Sequence, residues 1–274
     1  MTIARLHLRI TTCVKPDALI LKYLNDIVND IKSYHDVTFE VINRRKLTIK
    51  NLFDNNSTPL LVIQQTGVVL YTSIDNKIFY HENTTRVKYK AYQSKDHVPP
   101  LVELIQDEKI ETKIIIDATM GMANDLLLMA MTMPDSRFYA FEENFYIHFA
   151  IKWGIQFYYQ ELYDGILKTE RIQFVYGNII NNISILKEAG IIYLDPMYEE
   201  TVETSNIASL VKVVTHNIQD DRQLLNTIFE HFTGKVILRA HFKSRLIHEY
   251  QFIMNIRKQT KTHYGYRYNK ILTK

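Results

Sequence analysis

Two short apolar runs, each closed by an aspartate, constrain this chain more than any other feature. Residues 113–125 read KIIIDATMGMAND and residues 190–198 read GIIYLDPMY. An apolar run of this length, ended by Asp and a turn and followed by an apolar-periodic segment, predicts a buried parallel strand. Such strands deliver their loops and helices to a ligand at the carboxyl edge of an α/β sheet.

The surrounding pattern agrees. From Lys113 onward, strands alternate with helical segments. The strand at 114–117 leads to a helix over 123–132, the strand at 137–142 to one over 144–161, and the strand at 171–177 to one near 179–188. The strand at 191–195 precedes a polar loop and helices between about 206 and 232. A fifth strand at 235–242 follows, and the segments QFIMNIRKQ and THYGYRYN read as a terminal hairpin. This order predicts a doubly wound parallel sheet. Upstream, residues 1–95 predict a small N-terminal α/β domain: a strand at 3–12, a helix from Pro16 to about Ser33, and strands at 59–65, 67–73 and 77–80. The paired Pro99 and Pro100 favour extended backbone and stop a continuing helix, so the second domain is placed at 96–274.

Composition excludes several classes. With 274 residues, 46% hydrophobic and 23% charged, the chain is too apolar for disorder and buries a sizeable core. Cys13 is the only cysteine, which excludes an internal disulfide or a multi-thiolate metal site and fits the cytoplasm. The N-terminus lacks the continuous apolar block of a signal peptide, and no run approaches the ~18 residues of a membrane span. The ten histidines show no H-E-x-x-H or clustered spacing, so no metal is assigned. Net charge is +3, yet residues 235–274 hold ten Lys or Arg against Glu249 alone, a balance of +9 that leaves −6 for the remainder. That end is either a solvated face or a nucleic-acid footprint.

The strand ends carry the candidate chemistry. Asp117, Ala118, Thr119 and Gly121 lie where the first strand gives way to a helix, so Gly121 lets the backbone approach a ligand or simply closes a turn. One glycine is too few for the G-x-G-x-x-G dinucleotide fingerprint. Glu142 ends the second strand, where a carboxylate accepts hydrogen bonds from both ribose hydroxyls of a nucleoside cofactor. Asn178 follows the third strand and offers an amide to an adenine amino group. Asp125 opens the first helix and either binds the amino-acid end of a cofactor or favours the helix dipole. Asp195, Pro196, Met197 and Tyr198 close the fourth strand. An exocyclic amine of guanine or adenine is a poor nucleophile because its lone pair is delocalised into the ring. Hydrogen bonds to Asp195 and a neighbouring carbonyl localise that pair, Pro196 fixes the loop and Tyr198 stacks on the base; an ordinary Asp-Pro turn is the plainer reading. Tyr264, Tyr266 and Tyr268 share one strand face, as a half-buried sheet face or a base-stacking platform.

The motifs D-A-T-x-G-x-x-x-D, an acidic residue closing the second strand, and D-P-M-[FY] on the fourth resemble the bacterial family of small-subunit ribosomal RNA guanine-N2 methyltransferases and its uncharacterised relatives. The resemblance covers about residues 95–270. It implies a class I methyltransferase (Rossmann-like) fold that binds S-adenosylmethionine, with Asp117 and Gly121 shaping the loop. Asn124 and Asp125 match the family's Arg-Asp pair, Glu142 and Glu143 its Glu-Arg pair, and Asp195 its amine-facing aspartate. Asn124 and Glu143 replace basic residues, and Asn178 stands where many relatives carry Asp. The function implied is N-methylation of a guanine exocyclic amine in ribosomal RNA. DNA, protein or a small metabolite as substrate, or a non-catalytic cofactor- or RNA-binding module, are the alternatives.

Overall fold

The computed structural model of the chain describes residues 6–94, 98–106, 113–162, 169–196, 218–255 and 262–269. These fall into two compact units. The first holds the described residues up to Tyr80 and those of the long helix at Phe145–Leu162 from Phe149 on; the second holds those of His81–His148 and those after Gly165. The division falls upstream of the boundary at residue 95 read from the paired prolines.

The first unit is built on a five-stranded sheet of order β2-β1-β3-β4-β5. Strand β1 (Leu6–Thr12) runs parallel to β2 (Val37–Val41) and β3 (Leu60–Gln64), and β4 (Gly67–Tyr71) and β5 (Lys77–Phe79) continue as antiparallel neighbours. Helix α1 (Ala18–Ile31) starts where the Asp17 carboxylate accepts the Ile20 N–H at 2.9 Å, and it buries Ile20, Tyr23, Ile27 and Ile31 along one stripe. Strand β2 and the short helix α2 (Ile49–Phe53) were not among the elements expected from the sequence. No residue of β2 is fully buried; VTFEV alternates apolar and polar residues, which was its available signal, but it lacks the continuous apolar run of the other strands.

The second unit contains α3 (Asn83–Gln93), α4 (Pro100–Ile105) and a seven-stranded sheet of order β11-β12-β10-β9-β6-β7-β8. Strands β6 (Ile114–Asp117), β7 (Arg137–Glu142), β8 (Ile172–Tyr176), β9 (Ile191–Leu194) and β10 (Gly234–His241) are mutually parallel. Strand β12 (Thr262–Asn269) is antiparallel to both β10 and β11 (Ile253–Asn255), which forms the expected terminal hairpin. Helices α5 (Asn124–Thr132), α6 (Phe145–Leu162), α7 (Ile183–Glu188), α8 (Ile218–His231) and α9 (Arg245–Glu249) complete the described elements. The core gathers Ile116, Phe141, Ile192, Leu194, Leu225, Ile228, Val236 and Leu238, all at most 1% exposed, and each such side chain contributes about 1.5–3 kcal/mol by burial.

Two polar anchors fix the helix that begins the site. Arg171 donates to the carbonyls of Ala130, Met133 and Ser136 at 3.0, 3.2 and 2.7 Å, satisfying acceptors at and beyond the carboxyl end of α5. At the other end, the buried Thr85 hydroxyl of α3 donates to the Asn124 carbonyl at 3.0 Å. Helix α3 was not anticipated, because NTTRVKYKAYQ is mostly polar. Its packing on α5 explains why residues after Tyr80 belong to the second unit.

Candidate functional site

Leaving β6, the chain builds β7 and β8 to one side and β9 and β10 to the other, so the strand order reverses between β6 and β9. Crevices at such reversals lie outside the carboxyl ends of the strands and are the ligand sites of open α/β sheets. Asp117 ends β6, and Asp195 directly follows β9.

The loop after β6 is tied down from several sides. Ala118 N–H donates to the Tyr193 carbonyl at 2.9 Å and Met120 N–H to the Phe141 carbonyl at 2.8 Å. Glu142 Oε2 accepts the Gly121 N–H at 3.0 Å, while Oε1 accepts the Asn144 N–H at 2.8 Å. Gly121 sits at φ +49° in the left-handed region, and a Cβ there would meet only the Thr119 carbonyl at 3.9 Å, so this backbone borders open space. Ala123 takes the same region at φ 59°, a strained choice for a residue with a side chain. Asp117 is 1% exposed and accepts the Thr119 N–H at 3.1 Å. Burial drives its pKa well above the carboxylate range, that bond opposes the rise, and the neighbouring Asp125, Asp195 and Glu142 add to it.

Asp195 and Asp125 meet through one cation. The Asp195 N–H donates to Thr119 Oγ1 at 2.6 Å, joining the loops of β6 and β9. Arg239 Nη1 donates to Asp195 Oδ2 at 2.7 Å and to Asp125 Oδ2 at 3.2 Å. Asp125 Oδ2 also accepts the Tyr193 hydroxyl at 2.8 Å, and Oδ1 accepts Lys88 Nζ at 2.7 Å. Burial raises the Asp195 pKa to about 6 against the pull of Arg239. Burial likewise raises Glu142 to about 6, against the bonds from Asn144 and Gly121. For Asp125, burial also opposes ionisation, but Lys88 and Arg239 outweigh it and lower the pKa. Burial disfavours the Arg239 charge, yet Asp195 and Asp125 hold its pKa above the ordinary value. The carboxyl groups of Asp117, Asp125, Glu142 and Asp195 outnumber the two cations, Lys88 and Arg239. The net negative charge suits a ligand of net positive charge.

The remaining predicted residues are placed as follows. Asn178 Oδ1 accepts the Ile180 N–H at 3.0 Å as a cap, and its amide nitrogen donates to Glu143 Oε1, so both ends of this amide are engaged within the chain. Asn124 turns its side-chain oxygen to Thr85 at 3.3 Å. Pro196 is buried, whereas Met197 and Tyr198 lie outside the described residues. Lys88, Tyr193 and Arg239 were missed as site residues. A charged residue inside the apolar strand VILRA was the available signal for Arg239; Lys88, on a polar helix far upstream, gave none. Among the described residues of the basic end, three cations are turned inward. Arg239 is held as above, Lys235 is 4% exposed with its ammonium on the Leu104 carbonyl and over the Tyr266 and Tyr268 rings, and Arg267 donates to the Tyr250 carbonyl. Tyr264 is buried, so this face is sheet core and flank. Among the described residues, no group of His, Cys, Asp and Glu is arranged to hold a metal, and no helix is long and apolar enough to cross a membrane.

Comparisons with known proteins bear on the family and the fold. The family model described as "Putative SAM-dependent methyltransferase" matches residues 41–266. The uncharacterized protein YpiP of Bacillus subtilis is 23% identical over 259 residues, covering 93% of this chain and 97% of that protein. The crystal structure of a SAM-dependent methyltransferase from Neisseria gonorrhoeae superposes with a TM-score of 0.52 at 15% identity, covering 95% of this chain and 96% of that one. That similarity is one of fold.

Proposed function

The chain belongs to this family of S-adenosylmethionine-dependent methyltransferases, and from that premise we propose that it methylates the exocyclic amine of a guanine in ribosomal RNA, in the cytoplasm. S-adenosylmethionine supplies a methyl group made electrophilic by its sulfonium. The residues at the sheet edge fit such a cofactor: an open glycine backbone at Gly121, a carboxylate at Glu142 for the ribose hydroxyls, and an acidic edge for a net cation. Asp125 faces the amino-acid end in this reading, and Asn178 lies near the base, where its amide must exchange an internal bond to reach adenine.

The observation that carries the substrate reading is the exposure of Asp195. Its side chain is 35% exposed, against 10% for Asp125, so it is the more open of the two carboxylates that share Arg239. It accepts hydrogen bonds from the target amine, concentrates the lone pair on nitrogen and stabilises the positive charge that grows there during attack. Pro196 stiffens the loop, and Tyr198 stacks on the base. Positioning supplies most of the acceleration.

One observation favours a second reading, a small metabolite as substrate: Lys235, Arg239 and Arg267 turn their charges inward, which removes part of the surface a phosphate backbone would use. Nucleoside mass spectrometry of ribosomal RNA from a deletion strain decides between them. Loss of one methylguanosine, restored by the purified protein and S-adenosylmethionine, is expected. Unchanged RNA methylation would overturn the RNA reading.

A further inference from the structure

Asp125 is not a bare anion awaiting an ammonium group. Its Oδ2 is already served by Tyr193 and Arg239 at 2.8 and 3.2 Å. Lys88 adds a second cation on Oδ1 at 2.7 Å, and with 32% of its side chain exposed against 10% for Asp125 it is the open member of the pair. Helix α3 positions the lysine closely. Thr85 and Lys88 lie three residues apart on one face of the helix, and the fully buried Thr85 hydroxyl fixes that face to the Asn124 carbonyl at the start of α5. An ammonium has three donors, and among the described residues Asp125 receives one.

We propose that Lys88 is a cofactor-binding residue, whose ammonium binds the α-carboxylate of S-adenosylmethionine beside the α-ammonium at Asp125. A cation and an anion 2.7 Å apart mirror the zwitterionic amino-acid end of the cofactor, which an isolated aspartate does not. The inference rests on Asp125 facing that end of the cofactor.

The test is calorimetry on the full chain with two probes, S-adenosylmethionine and its decarboxylated form, which lacks only the carboxylate. Lys88→Met should lower affinity for S-adenosylmethionine roughly tenfold or more, the scale of a charged hydrogen bond. Affinity for the decarboxylated form should stay level or rise, because a cation has left the vicinity of a more cationic ligand. Lys88→Arg should keep the wild-type preference, and Lys88→Gln serves where the methionine variant melts early. Equal losses for both probes, or no loss for either, would overturn the assignment and return Lys88 to a structural ion pair. Asp125→Asn binding both probes like the wild type would instead overturn the placement of the amino-acid end, and Lys88 with it.

Discussion

Arg239 donates to Asp195 across 2.7 Å, and the same nitrogen reaches Asp125 at 3.2 Å. A single guanidinium on β10 therefore ties the aspartate proposed to face the amine to the one proposed to face the cofactor. Asp195 keeps Oδ1 for a substrate while Oδ2 is held, which fixes the carboxylate plane before anything binds.

Removing that cation should move the activity profile. Arg239 lowers the Asp195 pKa, which burial has raised to about 6. In Arg239→Met the carboxylate is harder to ionise, so the acidic limb of methyl transfer against pH should move upward, with Arg239→Lys restoring part of the shift. A variant that loses rate evenly at every pH would show that Arg239 acts on the fold instead.

The stability of the ligand-free protein should itself depend on pH. Glu142 and Asp195 both have folded pKa values of about 6, above the ordinary carboxylate values of about 4. Between these limits the folded state binds more protons than the unfolded state. Their contribution is therefore fully present below about pH 4 and is lost as pH rises through about 6. Cofactor affinity should move the other way, rising across the same window as the acidic edge ionises. Melting curves that show Asp195→Asn gaining no stability over wild type at pH 8 relative to pH 4 would contradict this linkage.

Glu142→Ala should weaken S-adenosylmethionine binding by about 1–3 kcal/mol, the scale of hydrogen bonds to a charged group. The structure adds a second consequence. The carboxylate accepts the Gly121 and Asn144 N–H groups, so the alanine variant also loosens the glycine loop and should melt lower. Calorimetry beside a thermal melt separates the two; unchanged affinity in a folded variant would remove Glu142 from the ribose site.

The centre of the sheet was legible because β6 and β9 are short apolar runs, almost wholly buried and closed by Asp, a pattern that survives without knowledge of their partners. Strand β2 has no such run; its only cue was the alternation of VTFEV, and none of its residues is fully buried. Asp117, Glu142 and Asp195 could be read for the same reason as the strands, since each stands at or directly after a strand end, and Asp125 opens the helix that follows. Their counter-charges could not. Arg239 belongs to a strand already counted as basic surface, and Lys88 reaches Asp125 only through the packing of α3 on α5, a contact 37 residues long in sequence. Asn178 stands just past the end of β8, and its amide also caps the turn that follows, a bond the sequence did not reveal.

If RNA is the substrate, its affinity should fall steeply with salt, because each phosphate contact releases counterions. The described cations left to make such contacts in the basic end are Lys243 and Arg245, both exposed at the end of β10 and the start of α9. Charge reversal at both should weaken RNA binding and flatten the salt dependence by about two contacts, with cofactor affinity unchanged. A salt-independent affinity would favour the small-metabolite reading.

Asp195→Asn carries the mechanism. The substitution keeps the shape of the side chain and the Asp195 N–H bond to Thr119, so the loops of β6 and β9 stay joined. What it removes is the negative charge that offsets the growing positive charge on the amine nitrogen. Turnover should fall by about a hundredfold or more, a loss made in the transition state and so expressed in kcat rather than in KM alone. Cofactor affinity should change less, because Asp125 and Glu142 remain. Tyr198→Ala should instead raise KM, through loss of a stacking surface worth roughly 1–3 kcal/mol. Single-turnover methyl transfer to the identified substrate, measured with the cofactor saturating, distinguishes the two effects. A folded Asp195→Asn protein with wild-type turnover would make this loop a structural turn and end the amine-orienting mechanism.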